Sequence, residues 1–151
     1  MKNYLILAVG LICCLVIILG FGLFLIHISK FPNITLTNDI ISIDGKFDGN
    51  FDVFDMQSID TVNVYPRVGL MHGGNGMPGV YIGNFGLANE EKIAKLYIHR
   101  NNPPYIRIRM NDSRLLLINL EEPDKTVEFF NQLKTQQRKL EFNTNRESLN
   151  N

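Results

Sequence analysis

From Tyr4 to Ile26 the chain runs 23 residues without a charged side chain. As a helix rising about 1.5 Å per residue, such a stretch reaches roughly 34 Å, against a bilayer hydrocarbon core of roughly 30 Å. A cleaved signal peptide has a shorter apolar stretch, about 7 to 15 residues, that closes on small side chains. Here the stretch closes on the bulky Leu23-Phe24-Leu25-Ile26. Lipoprotein-type cleavage before Cys13 or Cys14 would want a small residue just upstream, where Leu11 and Ile12 stand instead. The expectation is a retained single transmembrane helix within residues 1–30, with the protein localised to a membrane. Lys2 flanks one end and Lys30 the other, so flanking charge hardly sets the orientation. Only three residues precede the span, which leans towards a cytoplasmic N-terminus with the larger part outside. Cys13 and Cys14 are the only cysteines. Adjacent and within the apolar stretch, they cannot staple a separate domain and read as small apolar residues.

A length of 151 residues excludes two large catalytic domains. With 45% hydrophobic and 20% charged residues the chain is globular rather than disordered. Lys plus Arg and Asp plus Glu both count 15, so no strongly basic surface is available to hold nucleic acid, and no nucleic-acid partner is expected. Charge is nonetheless segregated. Phe31 to Pro66 carries six Asp and one Lys, a net −5, and Arg67 to Arg114 carries seven bases and three acids, a net +4. Attraction between neighbouring strands is the simplest account of that pattern.

Strand signals dominate the middle of the chain. Ile106-Arg107-Ile108-Arg109-Met110 alternates strictly, which puts three apolar side chains on one face and two arginines on the other. Asn111-Asp112-Ser113 supplies turn chemistry, and Arg114 to Leu120 then reads as a more completely buried strand. Ala94, Leu96 and Ile98 form an inward face, opposite Lys95, Tyr97 and His99. Asn101-Asn102-Pro103-Pro104 ends that strand. Val80 to Leu87 makes a further strand, and the four are expected to form an antiparallel meander. Ile40 to Asp44, Lys46 to Phe54 and Ile59 to Tyr65 read as three earlier strands, with Phe47, Phe51 and Phe54 as core candidates. After Leu120 the period changes. Pro123 and the acids around it suit a helix start, and Val127, Phe130 and Leu133, with Phe129 beside them, make an apolar stripe running to about Lys139. The Asn-rich residues 141–151 read as a disordered tail, leaving 31–140 as the folded domain.

About seven strands closed by one C-terminal helix resemble a bacterial pleckstrin-homology-like (PH-like) domain. Arg67-Val68-Gly69 through Gly74, then Met77-Pro78-Gly79 and Gly83-Asn84-Phe85, are similar to the glycine-rich stretch of membrane-anchored members. So is Leu120 to Leu133, where a strand passes through an acidic Pro turn into a helix with paired phenylalanines. The resemblance covers roughly residues 34 to 135. It implies a mainly β, seven-stranded antiparallel partly closed barrel or sandwich with one C-terminal helix, and a scaffold for binding or assembly with no catalytic residue and no cofactor. Phosphoinositide-binding PH domains carry basic residues in and after the first hairpin, where this chain carries its six Asp.

The chemistry-bearing motifs each have a plainer reading. Gly74-Asn75-Gly76-Met77-Pro78-Gly79 matches the G-x-G-x-x-G fingerprint of dinucleotide sites, but a strand follows it where a helix N-terminus is required. The same residues could be a connection, or an adaptable edge that meets a partner. His72-Gly73-Gly74 is similar to an esterase oxyanion loop, yet no serine lies in a G-x-S-x-G turn to act as nucleophile. His27, His72 and His99 are far apart for a metal site. Asp44, Asp48, Asp52 and Asp55 are hard-oxygen ligands whose spacing fits no EF-hand loop. Arg100, Arg107 and Arg109 could hold an anion through forked hydrogen bonds or form a solvated sheet face.

The combined expectation is a non-enzymatic single-pass membrane protein, bacterial by its family resemblance, displaying a module for protein interaction or self-assembly. Binding of lipid or an anionic ligand through Arg100, Arg107 and Arg109 is the alternative. The candidate binding residues are Arg67, Gly74, Gly76, Arg100, Arg107 and Arg109.

Overall fold

Asn38 and Asp39 both have positive φ, 50° and 63°, and they join two strands whose register places Thr37 opposite Ile40. Two left-handed residues in a two-residue loop make a turn whose twist matches that of the strands it connects, and Asn and Asp tolerate it better than most side chains. This hairpin opens the larger of the two units into which the computed structural model divides, residues 31–151. Backbone is described for residues 2–28, 31–45, 47–77, 79–88 and 90–149, and side chains for 10–24, 31–45, 47–76, 79–88, 93–143 and 146.

The smaller unit, residues 1–30, holds helix α1 (Lys2–Ile28). Its described side chains from Leu11 to Phe24 are uncharged, and nearly all are exposed. Among the described residues, however, no helix is long and apolar enough to cross a membrane. This corrects the transmembrane anchor expected over Tyr4–Ile26, and with it the single-pass membrane protein and the membrane localisation. Cys13 and Cys14 are free and exposed.

In the larger unit, β1 (Asn33–Thr37), β2 (Ile40–Asp44) and β3 (Gly49–Asp52) form an antiparallel three-stranded sheet in that order. Asp52 then caps a single 3-10 turn, Val53–Asp55, its Oδ1 accepting a hydrogen bond from the Phe54 amide at 2.9 Å. Beyond it, β4 (Met56–Val62), β5 (Val68–Met77), β6 (Val80–Leu87), β7 (Glu90–His99), β8 (Tyr105–Met110) and β9 (Leu115–Ile118) build a six-stranded sheet. Its order is β4-β8-β9-β7-β6-β5. Helix α2 (Pro123–Leu149) follows and continues beyond the expected end near Lys139. Leu140, Glu141, Arg146, Glu147 and Leu149 of that extension favour helix, and the helix replaces most of the disordered tail expected over 141–151.

The seven-stranded antiparallel, partly closed barrel or sandwich expected from the PH-like resemblance is thus corrected, among the described residues, to nine strands in two open sheets, one strand pair being parallel. The expected meander is corrected too, because β9 inserts between β7 and β8, antiparallel to β8 and parallel to β7. The reason lies in Leu115-Leu116-Leu117-Ile118. All four are buried, and a strand apolar on both faces is stable only where both faces are covered.

Both faces of the large sheet carry a core, and side chains along β7, β8 and β9 alternate between them. Ile106 and Ile108, Leu116 and Ile118, and Tyr97 join Ile41, Ile43 and Phe51 of the small sheet and Phe129 and Leu133 of α2. Tyr105, Leu115 and Leu117, with Ala94, Leu96 and Ile98, join Phe85 on the other face. The face of β7 expected to point outward therefore faces the main core. Tyr97 is fully buried there, its hydroxyl donating to the Phe47 carbonyl. On α2, Phe129 rather than Val127 belongs to the buried stripe, and Phe130 is only partly buried.

His99 gives the domain a pH dependence. Its ring stacks on Phe31 with centroids 3.9 Å apart, and its Nε2 is buried without a hydrogen-bond partner among the described residues. Burial pushes the imidazole below its ordinary value of 6.5, with Glu121 pulling weakly the other way. The unfolded chain then takes up the proton more readily than the folded one. Stability present above about pH 6.5 therefore declines as pH falls below it, down to the depressed folded value. Urea titrations between pH 8 and pH 5 are expected to show that decline, and His99→Gln to flatten it. An unchanged slope in the variant would assign the pH dependence to other groups.

Candidate functional site

The irregular segment between β4 and β5, residues 63–67, arches over the second core. Tyr65 packs there with its ring centroid 6.0 Å from that of Tyr105 and 6.3 Å from that of Tyr81. Burial pushes the Tyr65 hydroxyl well above the ordinary phenol value, with Arg100 acting in the opposite sense. Arg100, in the turn after β7, lies with its guanidinium carbon 5.8 Å from the Tyr65 ring centroid and 5.1 Å from that of Tyr81. Such cation–π contacts contribute about 0.5–1 kcal/mol at exposed sites.

Of the candidate binding residues, Arg67 and Arg107 come together, lining one cavity of about 440 Å³ beneath the arch. Arg107 is directed there by β8, whose register sets it opposite Asp60 of β4. Its Nη2 lies 3.9 Å from Asp60 Oδ2, too far for a hydrogen bond. Arg109 shares that face of β8 two residues on and is half-buried, opposite Ser58. Arg100, Arg109, Gly74 and Gly76 do not line this cavity.

Gly74 and Gly76 lie instead in β5, which is a strand and not the connection allowed for above. This also removes the geometry a dinucleotide fingerprint needs, since β5 turns directly into strand β6. Two glycines hold β5 against β6. A Cβ on Gly74 would sit 2.4 Å from the Ile82 carbonyl oxygen. At Gly83, where φ is +118°, it would sit 2.5 Å from Gly74 Cα. Close backbone approach and a positive φ both call for glycine.

At the far side of β5 the sheet ends. Among the described residues β5 pairs with β6 and no strand lies on its other edge. At ten residues it extends about 33 Å, and no Asp, Glu, Lys, Arg or Pro occurs from Val68 to Met77. Register shifts fall between Val68 and Gly73, whereas Gly73 to Met77 pairs regularly with β6. Leu70 is 80% and Met71 56% exposed. Strand propensity could not reveal this element, because four of its ten residues are glycine. The available signal was the uncharged run beside a well-formed strand. Leu87, Leu117 and Tyr65 were likewise missed as cavity residues, being distant in sequence and apolar in character. No protein-family model, no curated protein and no solved structure matches the chain.

Proposed function

We propose that the β-rich unit is a non-catalytic self-assembly module in which β5 of one copy pairs antiparallel with β5 of a second. The observation that carries this reading is that β5 ends the sheet, with no strand beyond it among the described residues, and is regular from Gly73 to Met77 and free of charged side chains. Proteins that must keep an edge strand unpaired place lysine, proline or a bulge on it. Here irregularity is confined to the first half of the strand. Identical antiparallel strands meet about a two-fold axis, so the pairing closes at two copies. Because β5 is uncharged, it sets no like charges opposite one another.

Gly73→Lys tests the reading. A Cβ at Gly73 meets nothing within 4 Å, so lysine adds a charge to the edge without disturbing β6. In sedimentation equilibrium of the full chain, the variant is expected to lose at least about tenfold in self-association, from a buried or juxtaposed charge costing roughly 1.4 kcal/mol or more. Its melting temperature at low concentration is expected to match wild type. Equal association of the two proteins would rule out pairing through β5.

A further inference from the structure

The cavity beneath the 63–67 arch is amphiphilic. Val62, Leu87 and Leu117 give it apolar walls, and Arg67 and Arg107 supply positive charge. At about 440 Å³ it falls in the range of small-molecule pockets. One donor beside it lacks a partner: Arg107 Nε is buried without a hydrogen-bond partner among the described residues, whereas Tyr65 has Tyr81 and Arg100 as neighbours. A buried donor left unsatisfied is costly, and an acceptor bound to the same guanidinium offsets that cost. The neighbouring Asp60 carboxylate stands 3.9 Å from Arg107 Nη2, near enough to offset one charge but not to satisfy the guanidinium. Two arginines and one aspartate leave a local net charge of +1.

From this arrangement we infer that the cavity binds a small monoanionic carboxylate with an apolar body, its carboxylate on the Arg107 guanidinium and its body against Val62, Leu87 and Leu117. A planar guanidinium fork matches a carboxylate through two parallel hydrogen bonds. Asp60 selects against a dianion, since a second negative charge would meet it. This site is separate from the β5 edge, and its test is independent of self-association.

Octanoate is the probe, titrated into the full chain while the backbone amide resonances of Val62, Leu87 and Leu117 are followed. Saturable shifts of all three are expected. Arg107→Gln should weaken binding about tenfold or more through loss of a charge-assisted fork. Arg107→Lys, which keeps the charge and loses the fork, should fall between. Arg67→Gln, at an exposed arginine, should weaken binding by less, and Gln136→Ala on α2 should not alter it. Octanol should bind more weakly than octanoate, and inorganic phosphate more weakly still. Absence of shifts at millimolar octanoate would overturn the inference, as would octanol binding equally well or Arg107→Gln and Arg107→Lys binding like wild type. Tighter binding of phosphate would overturn the monoanion assignment.

Discussion

Phe129→Ala is expected to destabilise the β-rich unit by about 3–5 kcal/mol, the range for removing a buried phenylalanine ring and leaving a cavity. Phe129 is 6% exposed, and Leu133, one turn further along α2, is fully buried. Both belong to the main core with Met56, Ile59, Ile108 and Met110, so the ring ties the helix to β4 and β8. Val127, on the same helix, is 44% exposed, and Val127→Ala should cost less than about 1 kcal/mol. Urea denaturation followed by circular dichroism compares the two. Similar midpoints would mean that α2 is docked through another face.

Asn119→Ala should be nearly as damaging, by about 3 kcal/mol or more. Asn119 is fully buried and ties three chain segments together. Its Oδ1 accepts from the His99 amide at 2.6 Å, and its Nδ2 donates to the carbonyls of Asn102 at 2.6 Å and His99 at 3.1 Å. The amide next to it is also held, Leu120 N donating to Thr126 Oγ1 at 2.9 Å. Truncation strands one buried N–H and two carbonyls, each costing about 1–3 kcal/mol where water cannot reach it. Asn119→Leu separates polar from packing effects, since it restores volume but not hydrogen bonds. If the leucine variant were as stable as wild type, the network would contribute nothing net.

The sequence made individual elements legible where side-chain periodicity was strong. Ile106, Ile108 and Met110 fall on one face of β8 as their alternation requires, and Pro123 opens α2 where the period changes. The apolar run in β9 announced a strand covered on both sides, but not that it slips between β7 and β8. That insertion depends on which strands pair across the sheet, which periodicity does not encode. β1 was missed, although Asn38-Asp39 between the apolar pairs Ile34/Leu36 and Ile41/Ile43 carries a hairpin signal. Asn119 fell within the expected buried strand Arg114 to Leu120, but the partners of its side chain lie 17 and 20 residues away, which periodicity does not encode. Arg107 was picked out for its chemistry and Arg67 with the glycine-rich stretch that it opens. Their meeting depends on the arch that carries residues 63–67 over the sheet.

The central claim, pairing through the β5 edge, is tested most directly by amide hydrogen exchange of the full chain at rising protein concentration. In an unpaired edge strand the outward-pointing amides exchange with water, and pairing with a second strand protects them. Protection of the outward-pointing amides between Gly73 and Met77 is expected to grow with concentration in wild type and to stay at its dilute-solution level in Gly73→Lys. Exchange at these amides that is independent of concentration, or that responds identically in the variant, would contradict the account.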